Sequence, residues 1–198
     1  MDRRIALAGL VVAALGLASV VAFETRSIGS PAVVSGPSTR IGGPLILVDQ
    51  HGRVITDRDL EGKPTVVFFG FTYCPEVCPT TLTALTAWMK ALGPDADKLN
   101  VVYVTIDPER DTPKQLALYL SSFDPRIRGL TGTPAQIPQI AHEYGVYYQK
   151  IPLSGGGYTM DHSSAVYLMD ARSAFEGVIG YQEPTPQALA QLRALVRA

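Results

Sequence analysis

Cysteine is scarce in this sequence: two residues among 198, beside three histidines and a single tryptophan. Two cysteines cannot form the dense disulfide framework on which small secreted scaffolds depend, so the chain must rely on a hydrophobic core. Positive charge is not in excess either. Seventeen lysines and arginines face eighteen acidic residues, for a net charge of −1. No basic patch stands out, which argues against a nucleic-acid partner. There is no internal repeat, so a solenoid or blade architecture is excluded. What remains is the composition of an ordinary globular domain, 46% hydrophobic and 18% charged.

The N-terminus departs from that average. Met1-Asp2-Arg3-Arg4 precedes an uncharged run of 19 residues from Ile5 to Phe23. That length is at the short end of what spans a bilayer as a helix and exceeds the usual apolar core of a signal peptide. The run has no polar face, so it does not read as a core helix. Residues 1–23 are expected to be a membrane anchor, with Val20-Val21-Ala22 offering the cleavage site of the alternative, a signal peptide. Arg3 and Arg4 precede the span and Glu24 follows it, which places the remainder of the chain outside the cytoplasm. Residues 24–43 are rich in Ser, Gly, Pro and Thr and read as a flexible tether.

From residue 44 to 198 strands and helices alternate. Pro44 to Val48 and Arg53 to Thr56 flank a turn and predict a hairpin. Thr65 to Gly70 is a continuous apolar run, as expected of a central strand buried on both sides, and Leu99 to Ile106 is a second. A helix is predicted from Cys78 to Leu92. Thr112-Pro113, Thr133-Pro134 and Thr185-Pro186 each place a capping hydroxyl before a proline, predicting helices that run to about Ser122, Tyr144 and Val196. Val146 to Ile151, Ser164 to Met169 and Phe175 to Ile179 read as strands. Pro152 to Tyr158, with three consecutive glycines, reads as a mobile loop. This order predicts a thioredoxin-like three-layer α/β/α sandwich behind an N-terminal transmembrane helix.

The two cysteines, Cys74 and Cys78, lie between the first buried strand and the first long helix. A disulfide between them would close a tiny loop and stabilise little, so chemistry is the better explanation for the pair. Their i, i+4 spacing puts both sulfurs on one face of a helical turn. A helix N-terminus favours thiolate, and thiolates are soft donors that select Cu(I). Pro75 and Pro79 restrict the residues before them and preshape the segment. The redox motif of thioredoxin-type oxidoreductases has two intervening residues, whereas this chain has three.

Two thiolates call for a third donor. His51 falls in a hairpin turn and reads as solvated. His142 falls in a helix and reads as a partly buried surface residue. His162 follows the glycine-rich loop and precedes a strand whose start can face the first helix; spacing alone makes it a candidate without deciding the matter. Asp107 either caps a turn with Arg110, orients the site or binds a partner. Asp161 either holds the imidazole of His162 or is solvated. Phe71 and Trp88 read as packing residues and Tyr73 as part of a docking surface. Met160 and Met169 are soft donors better explained by core or loop roles.

The segment Gly70-Phe71-Thr72-Tyr73-Cys74-Pro75-Glu76-Val77-Cys78-Pro79 resembles the signature of the Sco/SenC family of copper proteins. Asp59 to Pro64, Thr105 to Pro113 and Asp161-His162-Ser163 resemble three further family segments, in the same order, and the likeness extends over residues 43–197. It implies a thioredoxin fold with copper, as Cu(I) and also Cu(II), held by Cys74, Cys78 and His162. It also implies assembly of the dinuclear copper centre of cytochrome c oxidase, with subunit II as partner. Other periplasmic copper chaperones or thioredoxin-like reductants are further partners it allows. The location it implies is a bacterial inner membrane with the domain facing the periplasm, the mitochondrial inner membrane being the alternative.

Four readings of the cysteine pair remain open at this point. A metallochaperone works by ligand exchange and needs His162. A thiol-disulfide oxidoreductase, with Cys74 and Cys78 as its redox residues, reduces the cysteines of subunit II and does not need the histidine. A peroxidase usually carries its cysteine in a Pro-x-x-x-Thr-x-x-Cys segment, and Phe69-Gly70-Phe71-Thr72-Tyr73-Cys74 lacks the proline. A copper sensor would use the same three ligands.

Overall fold

The apolar run Thr65 to Gly70 becomes the centre of the molecule: all six residues are buried in one strand. The computed structural model describes residues 41–198. The predicted anchor, and the tether as far as residue 40, lie outside the described residues. No helix among the described residues is long and apolar enough to cross a membrane.

Among the described residues, nine strands form two sheets. In the large sheet β1 (Ile46–Asp49), β2 (Val54–Thr56), β3 (Thr65–Gly70), β4 (Asn100–Thr105), β5 (Ile127–Thr131), β8 (Val166–Met169) and β9 (Phe175–Ile179) are arranged in the order β2-β1-β5-β4-β3-β8-β9. The three middle strands are parallel, with Phe68 beside Tyr103 and Tyr103 beside Gly129. β1 and β8 flank them antiparallel. β3 and β4 are covered on both faces and read as hydrophobic runs, and β8 is buried along its whole length as well. β6 (Tyr148–Pro152) and β7 (Tyr158–His162) pair with each other in a separate two-stranded sheet.

Among the described residues, four α-helices cover the large sheet: α1 (Val77–Leu92), α2 (Pro113–Leu120), α3 (Gln136–Glu143) and α4 (Thr185–Arg197). On the face that carries Gly70, Tyr103 and Gly129 lie Cys78 of α1 and Leu116 and Leu120 of α2. Leu168, in register with Val66 on that same face, lines a cavity with Gln191 and Leu195 of α4. On the opposite face Phe69 stacks against Tyr144, just past α3, and against Tyr167. Helices on both faces thus enclose the parallel strands.

Several predicted boundaries shift for identifiable reasons. Thr112 caps α2 as anticipated, its hydroxyl accepting from the Gln115 amide at 3.2 Å. Thr133 and Gln136 exchange side-chain bonds instead, and α3 begins only at Gln136. Thr185 makes no cap; its hydroxyl accepts from the indole of Trp88 at 3.4 Å and ties α4 to α1. Two strands were not anticipated. β5 interrupts its apolar pattern with Arg128 and Gly129, and β7 mixes polar and apolar residues because it packs on one side only.

Gly129 shows how closely α2 sits on the sheet. A Cβ there would lie 2.6 Å from Leu120 Cδ1 and 3.3 Å from Leu116 Cβ. Gly129→Ala is expected to destabilise the fold by about 1–3 kcal/mol through overpacking, read as a lowered urea midpoint at unchanged slope.

Candidate metal centre

The chain leaves β3 at Gly70, turns through Phe71 to Glu76, and enters α1 at Val77. The Cys74 amide donates to the Phe71 carbonyl at 3.1 Å, closing the turn. Cys78 therefore sits in the first helical turn, whereas Cys74 precedes the helix. The one-face geometry predicted from i, i+4 spacing is not the means by which they meet. The loop folds back over the helix end, and the Cys78 amide donates to Cys74 Sγ at 3.4 Å. The sulfur thus occupies the position of a capping oxygen, on a helix whose N-cap, Glu76, makes no side-chain bond.

This arrangement sorts the two thiols. The Cys78 thiol beside it is the main influence holding Cys74 down to about 4, overcoming partial burial, with help from His162 and from the Cys78 and Glu76 amides. Cys78 is pushed far up, first by that same partner and then by its own burial. One sulfur is a half-exposed thiolate and the other a sealed thiol, 0% exposed.

His162, the last residue of β7, completes the group. Its Nδ1 lies 2.7 Å from the Ser163 carbonyl, an acceptor, so Nδ1 carries the proton of the neutral ring. Nε2 faces the sulfurs, 3.5 Å from Cys78 Sγ, as the ring nitrogen available to a metal. The ring edge packs against Phe71 at 5.8 Å between centroids. The ligand atoms of Cys74, Cys78 and His162 all lie within 4.8 Å of one another. Two sulfurs and one imidazole nitrogen, with no fourth protein donor among the described residues, suit Cu(I) better than a four-coordinate structural zinc.

Neighbouring loops hold this geometry. Asp111 is wholly buried, and its carboxylate accepts from the Thr72 amide at 2.9 Å, the Thr72 hydroxyl at 2.6 Å and the Thr105 hydroxyl at 2.6 Å. Burial raises its pKa, and those same hydrogen bonds oppose the shift. Asp107 pairs with Arg110, as the capping reading anticipated, and also accepts from the Tyr158 phenol at 2.8 Å. Arg110 donates to the Tyr158 carbonyl at 2.9 Å, while its guanidinium lies 3.7 Å from the Tyr158 ring centre and 4.7 Å from that of Tyr73. It therefore joins the β6–β7 hairpin to the cysteine loop.

Other residues fall elsewhere. Asp161 is exposed and does not touch the His162 ring; the Ser163 carbonyl has the role considered for it. The glycine run forms the turn between β6 and β7, while His162 pairs with Tyr148 at the other end of that hairpin. Trp88 packs far along α1, and Met160 and Met169 are buried. His51 and His142 are both exposed and lie outside the donor group. Asp111 and Tyr158 were passed over because nothing in their local pattern sets them apart from solvated loop residues. The available signal was for Asp111, which lies inside the family-like segment Thr105 to Pro113.

Comparison with known proteins is consistent with this site. The family model described as SCO1/SenC matches residues 34–197. Protein SCO1 homolog 1, mitochondrial, of Arabidopsis thaliana is 40% identical over 156 residues, covering 77% of this chain and 47% of that protein. An SCO2-like protein of Rickettsia felis is 37% identical over 140 residues, covering 70% of this chain and 68% of its own length. The chain thus spans about half to two thirds of the length of these curated relatives. The copper-bound structure of Bradyrhizobium japonicum ScoI superposes with a TM-score of 0.74 at 46% identity, covering 78% of this chain and 99% of that one. The fold shared with it is mixed α/β and thioredoxin-like.

The sorting of the thiols has a direct test. The rate of Cys74 alkylation by iodoacetamide is expected to stay level from about pH 8 to about pH 5 and to fall as acidification passes about 4. Cys78 is expected to stay unmodified in the folded protein. A rate that instead rises through pH 8 to 9, like that of an ordinary thiol, contradicts the assignment.

Proposed function

This chain belongs to the SCO1/SenC family, and from that premise we propose that it carries copper on Cys74, Cys78 and His162 and delivers it to the dinuclear copper centre in subunit II of cytochrome c oxidase. The observation that carries the reading is the convergence of three soft donor atoms within 4.8 Å. We place the protein at a bacterial inner membrane, anchored through the apolar run Ile5 to Phe23, with the copper site on the periplasmic side. Other periplasmic copper chaperones are its expected suppliers.

Copper is cargo here, and delivery is ligand exchange. Cys74 and His162 are both partly exposed, so an incoming donor from the partner meets them first. His162 lies on a hairpin bonded strand-to-strand only to itself, and its displacement breaks no bond of the large sheet. Cys78, sealed beneath, releases last. Purified full chain is expected to bind a single copper. Cys74→Ser or Cys78→Ser abolishes that binding, and His162→Ala lowers Cu(I) affinity on the order of 100-fold or more, beyond what losing a supporting group costs. Competition with a Cu(I) chelator measures this, and a double cysteine variant that still holds copper tightly sinks the assignment.

A second reading is favoured by the unequal thiols. A half-exposed Cys74 thiolate beside a sealed Cys78 thiol is the arrangement of an attacking and a resolving cysteine. Cys74 would attack a disulfide of subunit II, releasing one cysteine as thiolate; Cys78 would then displace the second, leaving Cys74–Cys78 oxidised and the substrate reduced. His162→Ala separates the readings. If the chain acts as reductant, this variant reduces a disulfide-bonded peptide from subunit II at the wild-type rate despite poor copper retention. If copper delivery is the task, it fails to metallate the reduced peptide.

A further inference from the structure

Tyr103 lies in the middle of β4 and is 0% exposed, the largest fully buried side chain among the described residues. Its ring is fixed between Phe68 at 5.8 Å and Tyr119 at 6.0 Å. Its hydroxyl nonetheless makes no hydrogen bond of normal geometry, although it bears on the Cys78 thiol. Buried phenols ordinarily find one, because an unpaired donor in the core keeps its full desolvation penalty.

The direction of this hydroxyl explains its isolation. A Cβ built on Gly70 would lie 3.0 Å from Tyr103 Oη and 2.6 Å from Cys78 Sγ. Oxygen and sulfur thus converge on the same small space above a glycine, and only the missing side chain of Gly70 leaves them facing each other. The sulfur of a protonated thiol is a weak acceptor, which a phenol gains little by engaging. A metal-bound thiolate is a charged acceptor and engages strongly.

We propose that Tyr103 is a positioning residue of the copper site, donating its phenolic hydrogen to the Cys78 sulfur when that sulfur is bound to copper as thiolate. The proposal rests on the copper reading of the site. The orphaned hydroxyl is then a donor held ready in a dry pocket for charge that arrives with the metal. It withdraws electron density from the sulfur, and hydrogen bonds around a ligating cysteine tune both affinity and redox potential. It also leaves Cys74, on the solvent side, as the more electron-rich of the two sulfurs.

Tyr103→Phe tests this in the purified full chain, with Tyr119→Phe as control because its buried hydroxyl is likewise unpartnered. Loaded with Cu(II), the wild type is expected to show a thiolate-to-copper charge-transfer band. Tyr103→Phe should move that band to lower energy and lower Cu(I) affinity by about 10-fold, while the metal-free unfolding temperature does not fall. Tyr119→Phe should leave the band in place. An unchanged band and affinity in Tyr103→Phe overturn the proposal and leave the copper reading standing. The same shift in Tyr119→Phe also overturns it, by showing a nonspecific packing effect. A wild type that retains no Cu(I) against the chelator overturns the copper reading and the proposal together.

Discussion

One buried carboxylate keeps the cysteine loop in place. Asp111 takes three hydrogen bonds, two from Thr72 and one from Thr105, and so joins the exit of β3 to the exit of β4 beneath the loop that carries Cys74. In the interior an unpaired group is expensive, so these bonds favour the observed course of the loop. That course brings the Cys74 sulfur over the first turn of α1, where the Cys78 amide donates to it. The electrostatic sorting of the two thiols follows from this placement. Each sulfur is the main influence on the other, the Cys78 thiol holding Cys74 down while Cys74 and burial together push Cys78 up.

The histidine arrives by a different construction. Its strand belongs to a hairpin outside the large sheet, so backbone pairing with the core does not locate it. Arg110 does, lying against Tyr158 of the hairpin and Tyr73 of the cysteine loop while Asp107 neutralises it from below. The Ser163 carbonyl then decides which ring nitrogen is free. Each step is local, and together they leave that nitrogen facing two sulfurs.

Much of this was legible in the amino-acid order because its causes are local. The unbroken apolar run Thr65 to Gly70 could only be a strand buried on both faces. The proline after Thr112 marked a helix start, and the spacing of Cys74 and Cys78 marked a pair of chemical purpose. What stayed hidden depends on partners distant in sequence. β7 has no periodicity of its own and exists because β6 pairs with it. Thr185 resembles a cap but serves a tryptophan 97 positions away. Asp161, beside the ligand, drew attention that belonged to a backbone carbonyl, which no side-chain pattern reveals. Tyr103 is one more apolar-looking residue in a strand until the space above Gly70 is known.

The depth of Cys78 carries a consequence for traffic. One sulfur has its back to the sheet, and the other two donors face outward from one side. If the chain ferries copper as proposed, any molecule that brings the metal and any that takes it away would meet the site from that side. A donor and an acceptor would then compete for it, so loading and unloading would be separate encounters. Between them the chain would carry its cargo alone, with the order of events imposed by which partner finds it free.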